Sequence, residues 1–114
     1  HADYWISDIP ITDSLSSDNI ENDYVQNTGL AIVRILNELK LNPKNTPGIL
    51  VKHHGPFVWG ETIEKAYEHA IILEYIAKLA LHTTTLNSTN TSIPEELHNQ
   101  HYLRKHGPNA TYGQ

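Results

Sequence analysis

The run Lys52-His53-His54-Gly55-Pro56-Phe57 holds the side chains best suited to chemistry, and it follows directly on the apolar run Ile49-Leu50-Val51. Neutral imidazole is a common ligand for zinc and related metals, and the ends of buried strands line ligand crevices in α/β proteins. Successive residues of a strand point to opposite faces, so at most one of His53 and His54 faces a site. One imidazole is not a metal site, because zinc takes three or four protein ligands. Read by itself, His54 is either a structural histidine with its hydrogen bonds satisfied or one member of a ligand set. Asp3, beside His1 and the aromatic pair Tyr4-Trp5, is a carboxylate among apolar rings, a setting suited to general acid–base work. The plainer reading is an aspartate that caps or ends a strand. Near the other end, His101-Tyr102-Leu103-Arg104-Lys105-His106-Gly107 gathers basic and aromatic groups. Arg104 offers a bidentate fork to a phosphate, although cations also favour a helix C-terminus for its dipole alone. Tyr112 presents a phenol as an acid or base at a neighbouring site, or else belongs to a frayed tail.

The elements that must position these groups follow from periodicity and breakers. Tyr4 to Thr12 alternates loosely and contains Pro10, which predicts a short extended segment or strand ending near the proline. Asp13 to Asn22, rich in Ser, Asp and Asn, predicts a loop or a first helical turn. Leu30, Val33, Ile35, Leu36 and Leu39 recur at helical spacing, with Thr28 as the expected N-cap and Asn42-Pro43 as the stop. Asn45-Thr46-Pro47-Gly48 is a turn, and Ile49-Leu50-Val51 a buried strand. Gly55-Pro56 reads as a turn with Trp59 packed beneath it. Thr62 caps a second helix, on which Ile63, Ala66, Tyr67, Ala70, Leu73, Ala77 and Leu81 form one broad face to about Thr83. Thr84 to Ser92 reads as a surface loop. Pro94 then opens a third helix, with Glu95 and Glu96 in its acidic first turn, ending before Gly107-Pro108. One clear strand and one possible strand do not make a self-sufficient sheet. The expectation is that further strands come from other sequence or another chain.

Composition narrows the function classes. A length of 114 residues suits one small domain. The net charge of -5 gives no footprint for nucleic acid or an anionic membrane surface. No apolar run approaches the ~20 residues that span a bilayer. Cysteine is absent, which excludes disulfides and thiolate ligands. Methionine is absent too, even at position 1, so the front of the chain is expected to have been processed, trimmed or left out.

Five segments together resemble the L-ribulose-5-phosphate 4-epimerase family of the class II aldolase/adducin-like superfamily: HADYW from His1, DYVQNTG around Tyr24, Thr28 and Gly29, PGILVKHHGPFVWG from Pro47 to Gly60, AIILEYIA from Ala70, and HYLRKHGPNATYGQ from His101 to the end. HGPF followed by W-G is shared broadly with sugar-phosphate aldolases of the superfamily. HYLRKHG with the terminal YGQ is narrower and points to the epimerases. The resemblance covers essentially the whole chain. It implies that residues 1–114 are the C-terminal part of a class II aldolase/epimerase domain. The implied fold is α/β: an α/β/α sandwich around a largely antiparallel central sheet, incomplete in this chain alone. The implied assembly is a C4 homotetramer, and the implied setting is cytoplasmic pentose phosphate and arabinose metabolism.

The resemblance also assigns roles. A divalent metal, usually zinc, is held by three histidines, of which His54 matches the third. The other two lie in an H-x-H motif in a front half that this chain lacks. Asp3 and Tyr112 match the acid/base pair, the tyrosine reaching the active site of an adjacent subunit. His101 and Arg104 match residues near that site. The implied reaction inverts C4 of L-ribulose 5-phosphate, giving D-xylulose 5-phosphate. C4 carries no acidic proton, so the C3–C4 bond is cleaved in a retro-aldol step, the metal stabilising the enediolate as a Lewis acid. The bond then reforms on the other face, with two acid/base groups on opposite sides. An aldolase of the fuculose-phosphate type and a non-catalytic adducin-like scaffold are the alternatives. The isolated chain is expected to be inactive and to bind zinc poorly, since only one ligand is matched.

Overall fold

A computed structural model describes residues 2–89 and 91–112. His1 of the HADYW segment, Asn90 of the expected loop, and Gly113 and Gln114 of the terminal YGQ lie outside the described residues. Among the described residues the architecture mixes helices with an antiparallel strand pair: α1 (Ser17–Glu21), α2 (Tyr24–Glu38), β1 (Gly48–Val51), β2 (Gly55–Val58), α3 (Ile63–Leu86) and α4 (Glu95–His106). None of these helices is long and apolar enough to cross a membrane.

The expected strand β1 is present, and β2 pairs with it in the register Gly48↔Val58 through Val51↔Gly55. The sequence reading of Gly55-Pro56 as a turn is corrected here, because the turn is Lys52-His53-His54 and Gly55 already belongs to β2. His53 takes a left-handed φ of 63° and Gly55 a φ of 150°. The latter is a backbone region open essentially to glycine alone, so Gly55 is what lets the chain re-enter the sheet after so short a turn. On the other side of β1, Leu50 donates to the Pro10 carbonyl (2.9 Å) and accepts from the Thr12 N–H (2.9 Å). The strand expected over Tyr4 to Thr12 therefore reduces to one parallel bridge, Ile11 with Leu50. Residues 2–4 form a turn instead, for which the burial of Trp5 gives the reason.

Trp5 and Ile49 are fully buried, at 0 % exposure. The Trp5 indole Nε1–H donates to the Gly48 carbonyl at 3.0 Å. A Cβ on Gly48 would stand 2.9 Å from Val58 Cγ1 and 3.3 Å from Trp5 Cζ2, so the close approach requires glycine there. Ala2, Val51, Leu36, Ala31, Leu73 and Tyr102 complete the small buried core among the described residues, and α2 and α3 both pack on the strand pair.

Helix ends follow local chemistry, with two corrections, at Thr28 and at the start of the loop expected over Thr84 to Ser92. Helix α2 begins at Tyr24 after Asp23, so Thr28 is not its cap. Thr28 is buried inside the helix, its hydroxyl donating to the Tyr24 carbonyl at 2.8 Å, the back-bonding that spares a mid-helix threonine an unpaired hydroxyl. At the other end Leu41 N–H reaches the Leu36 carbonyl (2.8 Å) and Lys40 N–H the Asn37 carbonyl (3.0 Å). This is a Schellman closure, with Lys40 at φ 54° where glycine is usual. Thr62 caps α3 as expected, accepting from the Lys65 N–H at 3.3 Å. That helix continues past Thr83 because the Thr84 and Thr85 hydroxyls also fold back onto helix carbonyls. Of its expected apolar face only Leu73 is buried, while Ile63, Tyr67 and Leu81 are exposed. Pro94 stands at the N-cap of α4 and Gly107 at its C-cap.

Candidate active site

Residues 3–5 face the segment from His98 in α4 to Tyr112 beyond it, and four contacts join them. The Trp5 carbonyl accepts from His98 Nε2 at 2.7 Å, a buried bond. The Lys105 ammonium stands 3.4 Å from the centre of the Tyr4 ring, a favourable cation–π placement. The Asp3 carbonyl accepts from His106 Nε2 at 2.6 Å. Finally the Asp3 carboxylate accepts from the Tyr112 hydroxyl at 2.6 Å. These last two groups are 109 residues apart in sequence.

Tyr112 is oriented by α4 as well. The Arg104 guanidinium lies 5.5 Å from the centre of its ring, and Thr111 N–H bonds the Arg104 carbonyl at 2.8 Å. The hydrogen bond to Asp3, above all, holds the Tyr112 phenol above its ordinary pKa, with partial burial and the carboxylate's charge adding to it and Arg104 opposing it. The pair thus presents a neutral proton donor against a proton acceptor. Beside it opens a cleft of about 650 Å³ whose walls include Tyr4, Trp59, Lys65, His69, Lys105 and His106.

The raised phenol pKa fixes a sign. The folded chain holds the Tyr112 proton more tightly than the unfolded chain, so the contact's contribution is complete below the ordinary value of 10.0 and is lost as pH rises past the folded value. In an ultraviolet titration, the difference between the wild type and Tyr112→Phe isolates this phenol. We expect it to ionise later than a free tyrosine, and Asp3→Ala, which removes both the hydrogen bond and the charge, to shift its ionisation back down. An unchanged midpoint in Asp3→Ala rules out the contact.

The remaining predicted residues sit differently. His101 is half-buried on α4, one turn before Arg104 and Lys105. His54 is exposed on the hairpin turn, its ring 5.2 Å from Phe57 and 6.4 Å from Tyr24. Trp5, two residues after Asp3, binds at the Gly48 end of β1, whereas His54 follows the Val51 end of that four-residue strand. Among the described residues no group of three or more His, Asp or Glu side chains is gathered to hold a metal. His54 by itself does not make up the three or four ligands of a zinc site. The acid and base that the described residues bring into hydrogen-bond contact are Tyr112 and Asp3.

Sequence reasoning passed over His98 and singled out His106 only as part of a basic cluster. The signal was present in the spacing His98-Tyr102-His106, which at i, i+4 and i+8 marks one face of a helix.

Residues 2–81 match the family described as class II aldolase and adducin N-terminal domain. Over all 114 residues the chain is 44% identical to the protein named L-ribulose-5-phosphate 4-epimerase UlaF from Salmonella paratyphi C (strain RKS4594), covering 49% of that protein. The identity and coverage are the same for the protein of that name from Salmonella choleraesuis (strain SC-B67), and the identity is 43% for that from Salmonella paratyphi B (strain ATCC BAA-1250 / SPB7). The chain spans about half the length of the curated relatives it matches.

Proposed function

We propose, from the premise that this chain belongs to the class II aldolase and adducin family, that it is the C-terminal part of a sugar-phosphate epimerase domain inverting C4 of L-ribulose 5-phosphate. The single observation that carries the reading is the Tyr112–Asp3 hydrogen bond, which joins a proton donor to an acceptor across the length of the chain. The relatives' printed name supports the substrate.

In this reading a carboxylate such as Asp3 takes the proton of the C4 hydroxyl as the C3–C4 bond breaks. The bonding pair moves onto C3 and into the C2 carbonyl, leaving an enediolate and an aldehyde. Rotation of the aldehyde presents its other face, the C3–C4 bond reforms, and the phenol of Tyr112 returns a proton to the C4 oxygen. The two groups are in direct contact here, so a substrate that uses both must part them and stand between. Arg104, whose guanidinium lies against the Tyr112 ring, suits a phosphate or a sugar hydroxyl, and His101 stands one turn earlier on the same helix. His54 is one metal ligand in this proposal, and the rest of a divalent-metal set comes from sequence beyond these residues. The assembly is a cytoplasmic homotetramer, in which an adjacent copy's tyrosine is the competing donor.

Incubation of the full-length protein with L-ribulose 5-phosphate is expected to yield D-xylulose 5-phosphate, and the 114-residue chain alone to yield none. Turnover of L-fuculose 1-phosphate with release of free dihydroxyacetone phosphate, and no turnover of the pentose phosphate, makes the protein an aldolase instead.

A further inference from the structure

We propose that His106 is a positioning residue for Asp3, a role that rests on reading Asp3 as a proton-transfer group. Residues 2–4 form a turn that, among the described residues, pairs with no strand, so no sheet ladder among them fixes the Asp3 backbone. What meets that backbone is the His106 imidazole, 2.6 Å from the Asp3 carbonyl oxygen. A carbonyl only accepts, so the ring must carry its proton on Nε2.

The ring is itself held. It lies 4.6 Å from the Tyr102 ring centre at an interplanar angle of 30°, and Tyr102 is buried. Two turns earlier His98 makes the equivalent bond to the Trp5 carbonyl. The stripe His98-Tyr102-His106 thus grips the 3–5 segment at two carbonyls with a buried ring between them. Tyr112, the other member of the pair, hangs on the same end of α4 through Arg104. One helix end therefore sets both halves of the proton-transfer geometry. His106 is exposed, so water can satisfy the Asp3 carbonyl when the imidazole is removed. The loss is one of orientation, not of folding.

His106→Phe keeps a ring against Tyr102 and removes the N–H, while His106→Gln restores an N–H donor. In the full-length protein, His106→Phe is expected to lower kcat about 10- to 100-fold, the range a displaced reacting group costs. KM for L-ribulose 5-phosphate and the melting temperature should hold, and His106→Gln should recover most of the rate. Nitrogen-15 spectra of the wild-type imidazole are expected to report the Nε2–H tautomer. A His106→Phe protein with wild-type kcat, a His106→Gln protein no faster than it, or an Nδ1–H tautomer at His106 each overturns the proposal. If Asp3→Asn itself turns over normally, the reading of Asp3 is what fails, and the tautomer still tests the contact.

Discussion

Asp3→Asn in the full-length protein is expected to lower kcat for the pentose phosphate by about 10²- to 10⁴-fold, the range that positioned acid–base groups supply, with little change in KM. Asparagine keeps the shape of the side chain, and its amide oxygen still accepts from the Tyr112 hydroxyl at the site of the present 2.6 Å bond. The His106 bond goes to the Asp3 backbone and is untouched by the change. What disappears is the basicity of the carboxylate and the charge that helps hold the Tyr112 phenol above its ordinary pKa. The effect therefore falls on proton transfer and not on the architecture around it, and steady-state kinetics beside a melting curve separates the two. A variant that keeps wild-type kcat removes Asp3 from the mechanism.

The fold was legible where a residue's local chemistry decides the backbone. Thr62 before an apolar-periodic run, Pro94 ahead of two glutamates and Gly107 after three basic residues all mark the helix ends found. Strand β2 was not legible, because Gly55-Pro56 is turn chemistry when read locally. Its tolerance comes from the partner strand. Leu50 spends both backbone groups on Pro10 and Thr12, so Pro56, which stands opposite Leu50, is never asked for the N–H it lacks. Thr28 misled for the converse reason. A side-chain hydroxyl that caps a helix in one setting back-bonds within it in another, and the left-handed Asp23 that starts α2 has no cap bond to announce it. As for the site, local spacing says nothing about Asp3 and Tyr112, which sit at the two ends of the chain. Residue type made each a candidate and family resemblance paired them, but only the packing of the 2–4 turn on α4 brings them together. His54 shows the opposite limit, since its motif is the most recognisable in the chain and its surroundings among the described residues are two aromatic rings.

Trp5→Ala is expected to cost about 3–5 kcal/mol, as truncation of a buried large aromatic does, and that is a large share of the ~5–15 kcal/mol that holds an ordinary domain together. Two losses add. The cavity is poorly filled, because the indole is fully buried against Gly48, where close contacts already leave no space for even a Cβ. The Gly48 carbonyl also loses the indole N–H that it accepts at 3.0 Å in a buried setting, and leaving such an acceptor unsatisfied costs about 1–3 kcal/mol. Trp5→Phe separates the terms, since it refills most of the volume and still strands the carbonyl, and it should fall between the two. Denaturant unfolding of the full-length protein measures all three. Trp5→Ala within about 1 kcal/mol of wild type, below the ordinary range for such a truncation, sinks the assignment of Trp5 as the keystone. The consequence reaches the site, because the turn that carries Asp3 is anchored by Trp5 through Gly48 on one side and through His98 on the other. A partly unfolded Trp5→Ala protein should therefore lose the Asp3–Tyr112 contact before it loses α3, a 24-residue helix capped by its own Thr62, although Trp5 also meets it edge-on at His69 with 6.3 Å between ring centres.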